Sequence, residues 1–261
     1  MGRLNLFVCF IFLMISQALF AINPEKSYKY APSDYGLGYG QISIPSTDGA
    51  EIACWHIPVK HKSRAKASVI VANSDAGNMA YWLNLAFYLN YLSYDVWLFD
   101  YRGFGESSDF DIKREQLFYP EFRDDLASVV TEVERYSRKP IVLMGYSMGT
   151  IVINEYLNRV NDIRIKAAIY DGFMGDPYSY VSRLKAQGKN VILPEHYEYP
   201  GAYTGIPSLY ISATQDKFCS KEEIPQEATE IKEFDCDHIM GLSSFKEQYI
   251  STLDSFLKNN L

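Results

Sequence analysis

Gly145-Tyr146-Ser147-Met148-Gly149 matches the pattern G-x-S-x-G, in which a serine on a sharp strand-to-helix turn is presented as a nucleophile. Glycines two positions either side of it let strand and helix approach without Cβ clashes. A serine hydroxyl is a weak nucleophile until a base takes its proton, so the pattern calls for a histidine and for an acid to orient that histidine. The chain has four histidines. His56 and His61 precede Ser147, and His196 falls in an irregular stretch. His238 follows the last apolar run, where the chain order Ser…Asp…His places the base. His56 reads as a strand-end residue, and His61 and His196 as solvated loop residues. For the acid there are two choices. Asp216 follows the apolar run SLYISA and lies 22 residues before His238. Asp171, directly after IKAAIY, is the rival. Asp235 and Asp237 are too close to His238 along the chain to face its ring.

The elements that must position these residues are legible as a pattern. Gln41–Ile44 and Glu51–His56 are short β-type runs across the turn signal Ser46-Thr47-Asp48-Gly49, which predicts an antiparallel hairpin. After it, apolar runs alternate with stretches of helical spacing: Ala67–Ala72, helix over Met79–Leu92, Val96–Asp100, helix over Glu121–Ser137, Ile141–Gly145, helix over Met148–Val160 and Ile165–Tyr170. Such alternation predicts an α/β domain whose mostly parallel sheet of about eight strands carries helices on both faces. The alternation lapses over 171–205, where one weak helix, Tyr178–Gln187, suggests a short cap, and Tyr197, Tyr199 and Tyr203 could line an entrance. It resumes with Pro207–Ala213, a charged segment Ser220–Ala228, Glu230–Phe234 and a terminal helix Ser244–Lys258.

With these residues in place the chain resembles the alpha/beta-hydrolase fold superfamily over residues 41–261, especially its small single-domain branch of esterases, thioesterases and serine peptidase-like hydrolases. Besides Gly145–Gly149, the resemblance rests on Phe99-Asp100-Tyr101-Arg102-Gly103-Phe104-Gly105-Glu106-Ser107-Ser108 and on Asp75-Ala76-Gly77-Asn78. The first resembles the segment after the family's fourth strand, and its part from Arg102 to Ser108 reads as structural. The second resembles the end of an H-G-x-x-G-N loop. The resemblance implies Ser147 as nucleophile, His238 as base, Asp216 as acid, and the backbone amides of Met148 and Asp75 as oxyanion donors. It implies no cofactor and no metal. The substrate expected is a small-molecule carboxylic ester or thioester. A serine peptidase of the same fold is the alternative enzyme, and a catalytically impaired binding protein the alternative from another class. One departure stands out: Asn73-Ser74 replaces the usual His-Gly, which can alter the loop, and a carboxylate at Asp75 near a developing oxyanion is unfavourable unless it points away. Cys219 and Cys236 flank the acid and the base, so the resemblance also raises a disulfide between those loops, against two free thiols.

Composition narrows the partners. A formal net charge of −7, from 25 Lys+Arg against 32 Asp+Glu, and no basic run remove the electrostatic attraction that nucleic acid requires. Arg3 followed by the apolar stretch Leu4–Ile15 and small residues at Ser16, Ala18 and Ala21 has the layout of a secretory signal peptide over 1–21, cleaved near 18–21, with an uncleaved N-terminal anchor as the alternative. Export to the periplasm or medium is expected, with no stable membrane span after processing. Residues 22–40 read as an extended lead-in. No CxxC or Cys/His spacing suited to a metal is present, and Cys54 reads as a buried small hydrophobe.

Overall fold

Val69 and Val71 alternate with Ile70 and Ala72, and because successive residues of a strand point to opposite faces, the burial of all four means that both faces are covered. The computed structural model describes residues 21–61, 64–160 and 164–261. Its strands are β1 (Asn23–Pro24), β2 (Gly40–Pro45), β3 (Glu51–Ile57), β4 (Ser68–Ala72), β5 (Ala76–Gly77), β6 (Asp95–Phe99), β7 (Ile141–Tyr146), β8 (Ile165–Asp171), β9 (Ser208–Ala213) and β10 (Glu230–Phe234). Eight of them form one sheet in the order β10-β9-β8-β7-β4-β6-β3-β2. Every neighbouring pair is parallel except β2 with β3 and β3 with β6, so β3 alone runs against the rest.

The helices are α1 (Leu83–Tyr91), α2 (Pro120–Tyr136), α3 (Met148–Leu157), α4 (Pro177–Ala186), α5 (Gly241–Ser244) and α6 (Lys246–Asn260). Two apolar clusters lie on the two faces of the sheet. One joins Ile70, Phe99 and Leu143 to Phe122, Leu126 and Val129 of α2 and to Ile151 and Val152 of α3. The other joins Val69, Leu98 and Met144 to Leu83 and Leu89 near and within α1 and to Leu253 and Phe256 of α6. The fold is the mostly parallel, two-sided α/β arrangement that the alternation predicts.

Two segments carry contacts that the pattern does not announce. The lead-in over residues 22–40 docks on the fold: Ala21 and Ile22 are buried, β1 pairs in parallel with β5, and Tyr28 reaches the buried Asp100. A two-residue strand held by backbone hydrogen bonds needs no apolar period, which is why the pattern gives no sign of it. The charged segment after β9 forms only a single 3₁₀ turn, Lys221–Glu223, because Pro225 forces Ile224 into extended backbone and closes the turn. The signal peptide expected over 1–21, apart from Ala21, lies outside the described residues. Among the described residues no helix is long and apolar enough to cross a membrane.

Candidate active site

Ser147 sits at the junction of β7 and α3 with φ 51° and ψ −115°, a conformation L-residues rarely adopt and one that stores strain at functional turns. The two flanking glycines are sterically required. A Cβ on Gly149 would lie 2.3 Å from the Ala72 carbonyl oxygen, and one on Gly145 would lie 2.7 Å from that of Gly149. The Ser147 amide donates to the Asp171 carbonyl at 2.9 Å, and Thr150 returns both its amide and its hydroxyl to the Ser147 carbonyl. The elbow is thereby locked between β8 and the first turn of α3. The first amides of that helix have no partner within it and carry partial positive charge, and Met148 is the first of them.

His238, in the loop between β10 and α5, places Nε2 2.8 Å from Ser147 Oγ and Nδ1 2.6 Å from Asp216 Oδ2. Asp216 lies just beyond β9, and its other oxygen accepts from the amides of Phe218 and Cys219 at 2.8 and 3.0 Å. Burial alone would raise the Asp216 carboxyl, but the hydrogen bond and charge of His238 and these two amides hold it below the ordinary carboxylate range. The three side chains named from chain order therefore come together in one hydrogen-bonded chain. The rival acid does not join it: Asp171 Oδ2 accepts from Tyr249 of α6 at 2.6 Å, and Tyr249 in turn meets Tyr146 at 2.9 Å. Burial pushes Asp171 up to about 7.

The loop after β4 carries Asp75. Asp100, at the end of β6, ties this loop down: its Oδ1 accepts from the Met79 amide at 2.7 Å, while its Oδ2 accepts from the Tyr28 hydroxyl at 2.6 Å. Asn73, standing where a histidine is usual, donates from Nδ2 to the Phe99 carbonyl at 2.6 Å. The Asp75 carboxyl is held above its usual range by burial, with His238, its own backbone amide and Lys189 pulling the other way. Arg102 anchors the next loop, reaching Asp125 at 2.7 Å and Asp48 at 2.5 Å from its guanidinium, which accords with a structural reading of that segment.

The disulfide expectation is corrected. Cys54, Cys219 and Cys236 are free thiols. Cys219 packs against the cluster on the α2/α3 face and points Sγ at the Gly172 carbonyl, 3.3 Å away, whereas Cys236 belongs to the cluster under α1 and α6. The acid and base loops meet, but their sulfurs fall on opposite faces of the sheet. Asp216, Cys219 and His238 present ligand-type atoms within 4.8 Å of one another. The first and last are already bonded to each other, and burial raises the Cys219 thiol well above its usual value, which keeps it protonated. The Tyr197 hydroxyl donates to Glu155 at 2.9 Å and its ring packs on Phe118. Two contributors escape a reading by motif. Gly172, at φ 66°, leaves room for the imidazole, since a Cβ there would lie 2.6 Å from His238 Cε1. Phe218 sets its ring edge-on to His238 at 5.4 Å.

Comparison with known proteins agrees with the fold and with a hydrolase. Residues 63–192 match the profile of a hydrolase family described as serine aminopeptidase, S33. The chain is 28% identical to Uncharacterized protein YfhR of Escherichia coli (strain K12) over 223 residues, 80% of this chain and 76% of that protein. It is 31% identical to a probable lysophospholipase L2 of Haemophilus influenzae over 121 residues, 45% of this chain and 38% of that one. The esterase Pf2001 of Pyrococcus furiosus superposes with a TM-score of 0.73 at 20% identity, over 91% of this chain and 99% of that one. A strained serine at the strand-to-helix elbow of a two-sided parallel sheet, a hydrolase-family match and the Pf2001 superposition lead to one conclusion: the chain belongs to the alpha/beta-hydrolase fold superfamily.

Proposed function

We propose that the protein is a serine hydrolase that cleaves a carboxylic ester or thioester through an acyl-enzyme on Ser147. The observation that carries the reading is the unbroken chain from Ser147 Oγ through His238 to Asp216, at 2.8 and 2.6 Å. With Nδ1 of His238 protonated and donating to Asp216, Nε2 is free to take the Ser147 proton as Oγ attacks the substrate carbonyl. The Met148 and Asp75 amides receive the developing oxyanion. The imidazolium then protonates the leaving alcohol or thiol, and water, deprotonated by His238, releases the acid. Asp216, held below the ordinary carboxylate range, stays ionised through the cycle and stabilises the imidazolium. Ester cleavage is supported by the fold of Pf2001, named an esterase, and by the partial match to a probable lysophospholipase.

A peptidase is the second reading, favoured by the description of the matching family as serine aminopeptidase. Fluorophosphonate labelling of the wild type and of Ser147→Ala tests the nucleophile: labelling lost only in the variant is expected, and a wild type that never labels at neutral pH overturns the reading. Acyl-chain series of esters and thioesters, set against aminoacyl amides, separate the two substrate classes.

A further inference from the structure

The segment Ala21–Tyr28 has no part in the hydrogen-bonded chain at Ser147, yet its contacts converge on the loop that carries Asp75. The Asn23 amide donates to the Asp75 carbonyl at 2.8 Å, and the Glu25 amide to the Gly77 carbonyl at 2.8 Å. From the loop side, Asn78 Nδ2 donates to the carbonyls of Glu25 and Ser27 at 3.2 and 2.9 Å, and the Tyr81 hydroxyl reaches Glu25 Oε1 at 2.8 Å. The upstream end is fixed as well: Ala21 and Ile22 are buried and both give their amides to the Arg114 carbonyl. At the downstream end Tyr28 binds Asp100, the carboxylate that also accepts from the Met79 amide at the far end of the same loop.

The loop is fixed at its two ends, by Asn73 on the Phe99 carbonyl and by the Met79 amide on Asp100, and has few fixed points between them. Between β4 and the 3₁₀ turn at Met79–Trp82 its strand is only the two residues of β5, and the partner of that strand is β1. An oxyanion donor acts only when it is held where the charge develops, since the stabilisation comes from a dipole that needs no reorganisation. A loop whose outer carbonyls are held by another segment keeps its inner amide in place only while that segment is docked.

We propose that Ala21–Tyr28 is a positioning strap that holds the Asp75 amide in the oxyanion site, with Asn23 as its central positioning residue. The inference rests on the serine-hydrolase reading of Ser147 given above. Undocking the strap removes transition-state stabilisation without removing the nucleophile or the base, so the loss falls on kcat rather than on KM.

The test uses the full chain with two substitutions on opposite sides of the contact. Asn23→Pro deletes the amide that reaches Asp75. Asn78→Asp keeps the side-chain oxygen that accepts from the Ala80 amide and removes both donors to the strap. Turnover of a p-nitrophenyl ester is measured per folded molecule, together with hydrogen exchange at 23–28 and inhibition by a trifluoromethyl ketone, whose serine adduct places an oxyanion on the same amides. The expected result, in both variants, is faster exchange over the strap, a fall in kcat of about tenfold or more, KM within about twofold, and inhibitor affinity falling in parallel with kcat/KM. A variant whose strap exchanges freely while kcat and inhibitor affinity stay within about twofold of wild type overturns the proposal. Ser147→Ala separates the two readings: full turnover in that variant removes the serine-hydrolase reading itself, whereas lost turnover there with unaffected strap variants removes the strap alone.

Discussion

At the scale of single residues, the two aspartates after β8 and β9 divide labour in a way that can be measured. In the proposed mechanism Asp216, bonded to His238 Nδ1, orients and compensates the imidazole, so Asp216→Asn is expected to lower kcat on the order of 10³ to 10⁴-fold. Asp171→Asn, whose side chain faces Tyr249 rather than His238, is expected to cost less than about tenfold; steady-state kinetics of the pair would reverse the assignment of the acid if the two losses were exchanged. Gly172→Ala forces a methyl against His238 Cε1 in a backbone conformation unsuited to alanine, and a loss of about 10²-fold in kcat is expected from a displaced base. Asp75 acts with the opposite sign. Its carboxyl belongs to the residue whose amide is the proposed oxyanion donor and is held above the usual range by burial, so raising the pH ionises it and sets a negative charge on the same residue as the donor. Asp75→Asn is therefore expected to raise kcat/KM several-fold, with the gain growing toward alkaline pH in a pH-rate profile. A gain that does not depend on pH would sink this explanation.

At the scale of elements, what the sequence makes legible follows from which forces leave a period. Strands buried on both faces and amphipathic helices leave one, and β4, β6, β7, β8, β9 and β10 lie within a residue of the runs that announce them. Ser147 and His238 are also readable, from the motif and from chain order, whereas strand ends alone leave Asp216 and Asp171 both open. The docking of β1 on β5 is not readable, since it consists of main-chain hydrogen bonds between two short polar stretches. The Cys219 and Cys236 pairing fails for a related reason: loop proximity can be inferred from spacing, whereas the face on which a sulfur lies depends on the register of the last strand. Mass spectrometry after alkylation of the unreduced, denatured protein is expected to find Cys54, Cys219 and Cys236 all modified. A species in which Cys219 and Cys236 resist alkylation until reduced would contradict the described arrangement.

At the scale of the whole molecule, buried carboxyls set a pH dependence of stability. Burial lifts both Asp100 and Asp171 to about 7, well above the roughly 3.9 of an unfolded chain. Between those two values the native state binds more protons than the unfolded one, so stability declines as pH rises across this window. Chemical denaturation at pH 5 and pH 8 is expected to give the larger unfolding free energy at pH 5, and Asp171→Asn is expected to flatten the difference; equal stability of the wild type at both values would contradict it.

The burial of Ala21 and Ile22 also bears on how the protein can be handled. Ala21 and Ile22 both donate to the Arg114 carbonyl, close in the chain to the β1–β5 ladder and the Asp75 loop. Leu261 ends a surface helix and is 42% exposed. Affinity handles, fluorophores and immobilisation chemistry therefore belong at the carboxyl end, where a tether pulls on the outer layer of the fold and leaves the reacting groups undisturbed.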